Sequence, residues 1–236
     1  MPEDQGTQDM MSKKPEPLRE DPTLDEVRAY LAPVLAAQAA FDGWNDKAVE
    51  AAADLTGVDA DLARLAFNEG PVDMIDAWFL SVDEAMAAKY SAEELAAMKI
   101  RERITALVTT RMEIMESDRE GLRRALAILA MPQNLKVAAR MGWRVADKMW
   151  RLAGDTAPDY NHYTKRVMLS AVYGSTMGVF LDDDSEDYAE TKAFLDRRIE
   201  NIMQFEKTKA KLLRPGGDRF SMARFLGRLR YRGNAL

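Results

Sequence analysis

Cysteine is absent from the 236 residues, and histidine occurs once, at His162. Disulfide frameworks, thiolate zinc centres and histidine-rich metal sites are therefore excluded. Any Cys-His or Ser-His-Asp chemistry would have to run through His162, whose neighbours form neither a nucleophile elbow nor a triad. Paired Glu-x-x-His motifs and a dinucleotide fingerprint are also missing. No stretch approaches the roughly 20 consecutive apolar residues that a membrane span requires, so membrane contact must be peripheral. These absences leave no redox or metal groups for an enzyme to use, and no cofactor or metal is expected.

Hydrophobic residues make up 47% of the chain, enough for a sizeable core. Charge is divided unevenly. From Lys207 onward nine basic residues face one acid, Asp218, so a net charge of −6 overall leaves the preceding chain at −14. An acidic body is repelled by nucleic acid, whereas a basic tail seeks an anionic surface.

Residues 1–22 are polar and aperiodic, the composition of a disordered leader. They lack the apolar run of a secretory signal and the arginine-rich pattern of a transit peptide, which predicts a cytoplasmic protein. Residues 23–90 read as short helices. Thr23 caps the first, Pro33 is expected to restart it, and a turn at Thr56 and Gly57 precedes a third helix from Asp59 to Phe67. This order, followed by Asn68–Pro71, resembles the amino-terminal helix-turn-helix of TetR-class repressors. The third helix, however, sets Asp59 and Asp61 against Arg64, a poor surface for phosphate. A packing unit that has lost DNA binding is expected, and a ligand-responsive TetR-type repressor is the alternative.

Residues 91–212 read as a helical bundle. Ser91 and Glu94 form a capping box ahead of a long helix expected to run to about Ser117. Another helix ends near Ala153 and carries Trp143 and Trp150 seven residues apart. In the next, Gly174 and Gly178 suggest the close approach of another helix or of a bound apolar molecule. The acids from Asp182 to Asp187 lack the glycine and glutamate of a calcium loop and are expected to cap the following helix, with Asp187 and Glu190 as a box-like pair. Apolar faces of these last bundle helices are expected to line a lipid cavity: Trp143, Trp150, Met168, Leu169, Val172, Tyr173, Thr176, Val179, Phe180, Leu195, Ile199 and Ile202.

In residues 213–236, Pro215, Gly216 and Gly217 form a hinge. Beyond it Met222, Phe225, Leu226 and Leu229 share one helical face flanked by Arg224 and Arg228, a pattern suited to an anionic membrane surface.

The corner from Trp150 to Arg166, WRLAGDTAPDYNHYTKR, joins two long helices with residues that packing alone would not select. Gly154 suits a helix stop and Asp159 a helix start. Its AGDT and YTKR blocks, together with TKAFLDRR at Thr191–Arg198, closely resemble the ubiquinone-biosynthesis lipid-binding accessory proteins, which have a TetR-like fold. The resemblance implies a non-enzymatic homodimer, peripheral on the inner membrane, that binds isoprenoid quinone lipids. It also implies presentation of a polyprenylated intermediate to the di-iron hydroxylase of that pathway. On matched positions the partner patch would comprise Asp147, Met149, Asp159, His162 and Tyr163. The family usually carries tryptophan where this chain has His162, which removes stacking area from the patch.

Overall fold

A computed structural model describes residues 18–155 and 160–213. Every regular element among them is helical: α1 (Leu24–Asp42), α2 (Asp46–Thr56), α3 (Ala60–Ala66), α4 (Pro71–Ala88), α5 (Ala92–Ala97), α6 (Ile100–Met115), α7 (Arg119–Leu129), α8 (Leu135–Leu152), α9 (Tyr160–Asp182) and α10 (Ala189–Leu213). Their starts follow from local chemistry. Thr23 accepts from the Glu26 amide while the Glu26 carboxylate accepts from the Thr23 amide, satisfying two donors that a helix end would otherwise leave free. Asp59 accepts from the amides of Asp61 and Leu62, each at 3.0 Å, and so fixes the start of α3.

α1 packs against α2, α3, α4 and α7. The Arg28 guanidinium joins three of these elements, donating to the Ala66 carbonyl at 2.8 Å and pairing through both terminal nitrogens with Asp73. The Trp44 indole donates to the Gly121 carbonyl at 3.0 Å, tying the α1–α2 turn to α7. α9 lies between α8 and α10, and α10 also packs on α6. A single apolar core runs from Val27 of α1 to Ile202 of α10.

Four local expectations change. α1 continues through Pro33, because Val27, Leu31, Leu35 and Ala39 bury one uninterrupted stripe that offsets the lost backbone bond. The helix expected from Ser91 to Ser117 is two helices, α5 and α6. Met98 and Lys99 adopt extended backbone, and Glu102 accepts from the Lys99 amide at 2.9 Å, forming a second cap. At the start of α10 the cap is not Asp187, whose φ is +55°, but Asp183 and Ser185. Asp183 accepts from the Ser185 and Thr191 amides at 2.9 and 2.8 Å, and Ser185 accepts from the Glu190 amide at 3.1 Å. Finally, among the described residues no group outside their own helix comes within 4 Å of a Cβ built on Gly174 or Gly178, so of the two approaches expected there, that of another helix is not made and that of a bound molecule stays open. The close approach occurs at Gly121, where an added Cβ would lie 2.4 Å from the Ala36 carbonyl oxygen.

Candidate functional site

The corner is held from inside. α8 stops with Gly154 at φ +87°, the left-handed geometry that glycine adopts without steric cost, and the Asp155 amide donates back to the Trp150 carbonyl at 2.9 Å. Arg103 of α6 donates to the Ala153 carbonyl at 2.7 Å and satisfies part of the helix end. Lys165 and Arg166, at the start of α9, turn back toward α8. The Lys165 ammonium donates to Asp155 at 2.8 Å and lies 5.2 Å from the centre of the Trp150 ring, while the Trp150 indole donates to the Lys165 carbonyl at 3.1 Å. Arg166, almost wholly buried, donates to Asp147 at 2.6 Å and to Asp155 at 3.0 Å. Burial alone would raise both carboxyls. Lys165 and Arg166 outweigh it at Asp155, and Arg166 with Arg151 outweighs it at Asp147, so both lie below their ordinary values.

The YTKR block is therefore a clamp with an outer face. Tyr163 is 60% exposed, and its ring centre lies 5.9 Å from that of Trp143 and 5.2 Å from that of His162. Trp143 and His162 are 6.3 Å apart, completing an aromatic group over the α8–α9 seam. Of the expected partner residues, His162 and Tyr163 belong to this group, and Asp147 sits half-buried beneath the corner as a clamp partner. Met149 is a correction: it is fully buried, because the face of α8 that carries it turns into the core. Asp159 lies outside the described residues, as do the membrane-binding candidates Met222, Arg224, Phe225, Leu226, Arg228 and Leu229.

Beside the corner an apolar cleft of about 620 Å³ opens between α7, α8 and α9. Its inner wall is made of buried side chains, Phe79 of α4, Leu122 and Leu129 of α7, Met141 and Val145 of α8, and Tyr173 and Met177 of α9. The more exposed Leu135, Val167, Ala171 and Gly174 form its mouth. The size and lining suit a molecule with an apolar chain.

Two of the expected lipid residues, Trp143 and Tyr173, line this cleft. The others do not. Leu169, Val172, Thr176, Phe180, Leu195, Ile199 and Ile202 are buried in the core without bordering the cleft, as is Trp150. Met168 and Val179 are half-buried and also stand apart from it. The expectation favoured the bulky stripe of α9, but α9 is apolar on more than one side, and the cleft uses the stripe of Val167, Ala171 and Gly174. The gap at Gly174 was the available sequence signal, since a helix glycine in contact with no neighbouring element leaves room for something else.

Residues 135–206, spanning α8, α9 and most of α10, match the family model described as COQ9. The chain is 29% identical over 182 residues to the mitochondrial ubiquinone biosynthesis protein COQ9 of Rattus norvegicus, covering 75% of this chain and 58% of that protein. It is 36% identical over 111 residues to the Homo sapiens protein of the same name, covering 47% of this chain and 35% of that one. With the coq9 protein of Schizosaccharomyces pombe the figures are 25% over 174 residues, 74% and 68%. The chain thus spans 58% of the length of the rat relative. Among solved structures, a TetR transcriptional regulator from Nitrosomonas europaea ATCC 19718 superposes with a TM-score of 0.59 at 21% identity, covering 75% of this chain and 98% of that one. The fold is accordingly all-α and TetR-like, and at this identity the likeness carries the fold alone.

Proposed function

With residues 135–206 matching the COQ9 family model and three quarters of the chain similar to rat COQ9, we propose that this protein is a non-enzymatic, lipid-binding accessory factor of ubiquinone biosynthesis. It takes a polyprenylated quinone intermediate from the membrane and presents it to the di-iron hydroxylase. The observation that carries this reading is the position of the family match: it covers α8 and α9, which together wall the apolar cleft and carry the Trp143, His162 and Tyr163 group beside it. A ligand chain in the cleft and a partner on the aromatic group would lie side by side, the arrangement that handing over a lipid requires.

The basic, amphipathic segment beyond residue 213 supplies the membrane contact at the inner membrane surface, and deleting residues 215–236 is expected to abolish most binding to anionic vesicles. Homodimerisation is part of the same proposal, checked by sedimentation. The repressor alternative is disfavoured by charge. Arg64 of α3 is tied to Glu50 at 2.8 Å and is also paired with Asp61, so the helix that would enter a DNA groove presents little free positive charge.

The lipid reading is tested with phosphatidylcholine vesicles carrying a polyprenylated benzoquinone. Quinone is expected to follow the protein after the vesicles are removed. Quinone that stays wholly with the vesicles would overturn it.

A further inference from the structure

Behind the inner wall of the cleft lies a charged network that a purely apolar binding site does not need. Arg111 of α6 is fully buried and pairs with Asp83 of α4, which is 1% exposed. Arg144 of α8 stands 3.8 Å from the other oxygen of Asp83. Asp83 is one turn along α4 from Phe79, and Arg144 is flanked by Trp143 and Val145, all three of which line the cleft. The network therefore abuts the wall, and Tyr173 joins the two. Its side chain borders the cleft, and its hydroxyl accepts from Arg111 Nε at 3.0 Å.

That hydrogen bond fixes the direction of the next one. A phenol oxygen that accepts from a guanidinium still carries its own proton, and an adjacent cation makes that proton a stronger donor. Arg111 also lies 5.3 Å from the Tyr173 ring centre, which holds the phenol in place from one side. In addition, Arg111 Nη2, Asp83 Oδ2 and Arg144 Nε are buried without a hydrogen-bond partner among the described residues. Each such atom costs about 1–3 kcal/mol when left unsatisfied, so a polar cluster retained here needs a reason beyond packing.

We propose that the Tyr173 hydroxyl, positioned by Arg111, donates to an oxygen on the ring of the cleft's ligand, so that the site selects apolar chains ending in an oxygen-bearing ring. This rests on the reading of the cleft as a lipid site and adds the end of the lipid that enters first. The ring meets Tyr173 at the inner wall, and the chain runs outward past Ala171 and Val167 to the exposed mouth. Arg111 is a positioning residue, and Tyr173 makes the contact.

The test uses phosphatidylcholine vesicles loaded with farnesyl-benzoquinone or with farnesylbenzene, which has the same chain and no ring oxygen. Compound that follows the protein through gel filtration is quantified for the wild type and for Tyr173→Phe. Loss of one neutral hydrogen bond predicts roughly five- to tenfold weaker quinone uptake by the variant and unchanged farnesylbenzene uptake. Equal effects on both compounds, or none on either, would overturn the ring contact while leaving the cleft as a lipid site. Uptake of neither compound by the wild type would overturn the lipid reading and this proposal with it. A second measurement needs no variant: the infrared carbonyl stretch of the quinone bound to wild-type protein is expected to fall below its frequency in vesicles. An unshifted stretch contradicts the proposal.

Discussion

Arg166 Nε donates to Asp147 at 2.6 Å across the α8–α9 seam, joining residues 19 apart in sequence, while the same guanidinium reaches Asp155 at 3.0 Å. Removing it would leave Asp155 with Lys165 alone and Asp147 with Arg151 alone, and would empty a largely buried corner. Arg166→Ala is expected to lower stability by about 1–3 kcal/mol, read by urea denaturation. Arg166→Lys should recover only part of this, because one ammonium cannot span both acids as the planar fork does. A loss below about 0.5 kcal/mol for the alanine variant would show that the clamp does not hold the corner.

The same acids give a dependence on pH. Both Asp147 and Asp155 have folded-state values below the ordinary carboxylate range, so the unfolded chain takes up protons first as pH falls. Their stabilising contribution is complete above about pH 5 and is lost as pH drops through about 4 toward the folded values. Denaturation midpoints measured between pH 7 and 3 should decline over this window, and the decline should flatten in Arg166→Ala. An equal decline in both proteins would assign the acid sensitivity to other groups.

Gly121 and Gly178 predict opposite outcomes for one substitution. Gly121→Ala would drive a Cβ to 2.4 Å from the Ala36 backbone oxygen, forcing α7 from α1 at a cost of about 1–3 kcal/mol. Gly178→Ala meets no neighbour within 4 Å among the described residues and removes a flexible residue from a helix interior, so it should stabilise by up to about 1 kcal/mol. Thermal melts of the two variants should move in opposite directions.

These elements also mark what the chain reveals before it folds. The cap at Thr23, the capping box at Ser91 and the stop at Gly154 are legible because each is a short-range exchange among residues within one turn. The break at Met98 and Lys99 is not, since apolar periodicity continues across it and the cap depends on the Lys99 amide. The inward direction of Lys165 and Arg166 is not legible either, because long cationic side chains can point either way. Their inward turn depends on Asp147 and Asp155 being folded alongside. The cleft itself was only half legible. Its existence follows from apolar helices near the corner, but the face of α9 that lines it is decided by how α8 and α10 divide that helix between them.

His162 offers a gain-of-function test of the partner patch. It sits in the aromatic group with Trp143 and Tyr163, where the resembling family usually places tryptophan. His162→Trp enlarges the apolar stacking area and is expected to tighten binding to the di-iron hydroxylase by about five- to tenfold in a surface-binding assay. Unchanged affinity would count against this face as the docking site.

We propose that the cleft between α7, α8 and α9 holds an isoprenoid lipid. The most direct test is mass spectrometry of the lipids that co-purify with the native protein and with Ala171→Trp, a variant that fills the mouth from an exposed position on α9. The wild type is expected to carry an isoprenoid quinone or its precursor, and the variant to lose it while keeping its helical content. A wild type without such a lipid, or a folded variant that carries as much of it, would rule out this cleft as the lipid site.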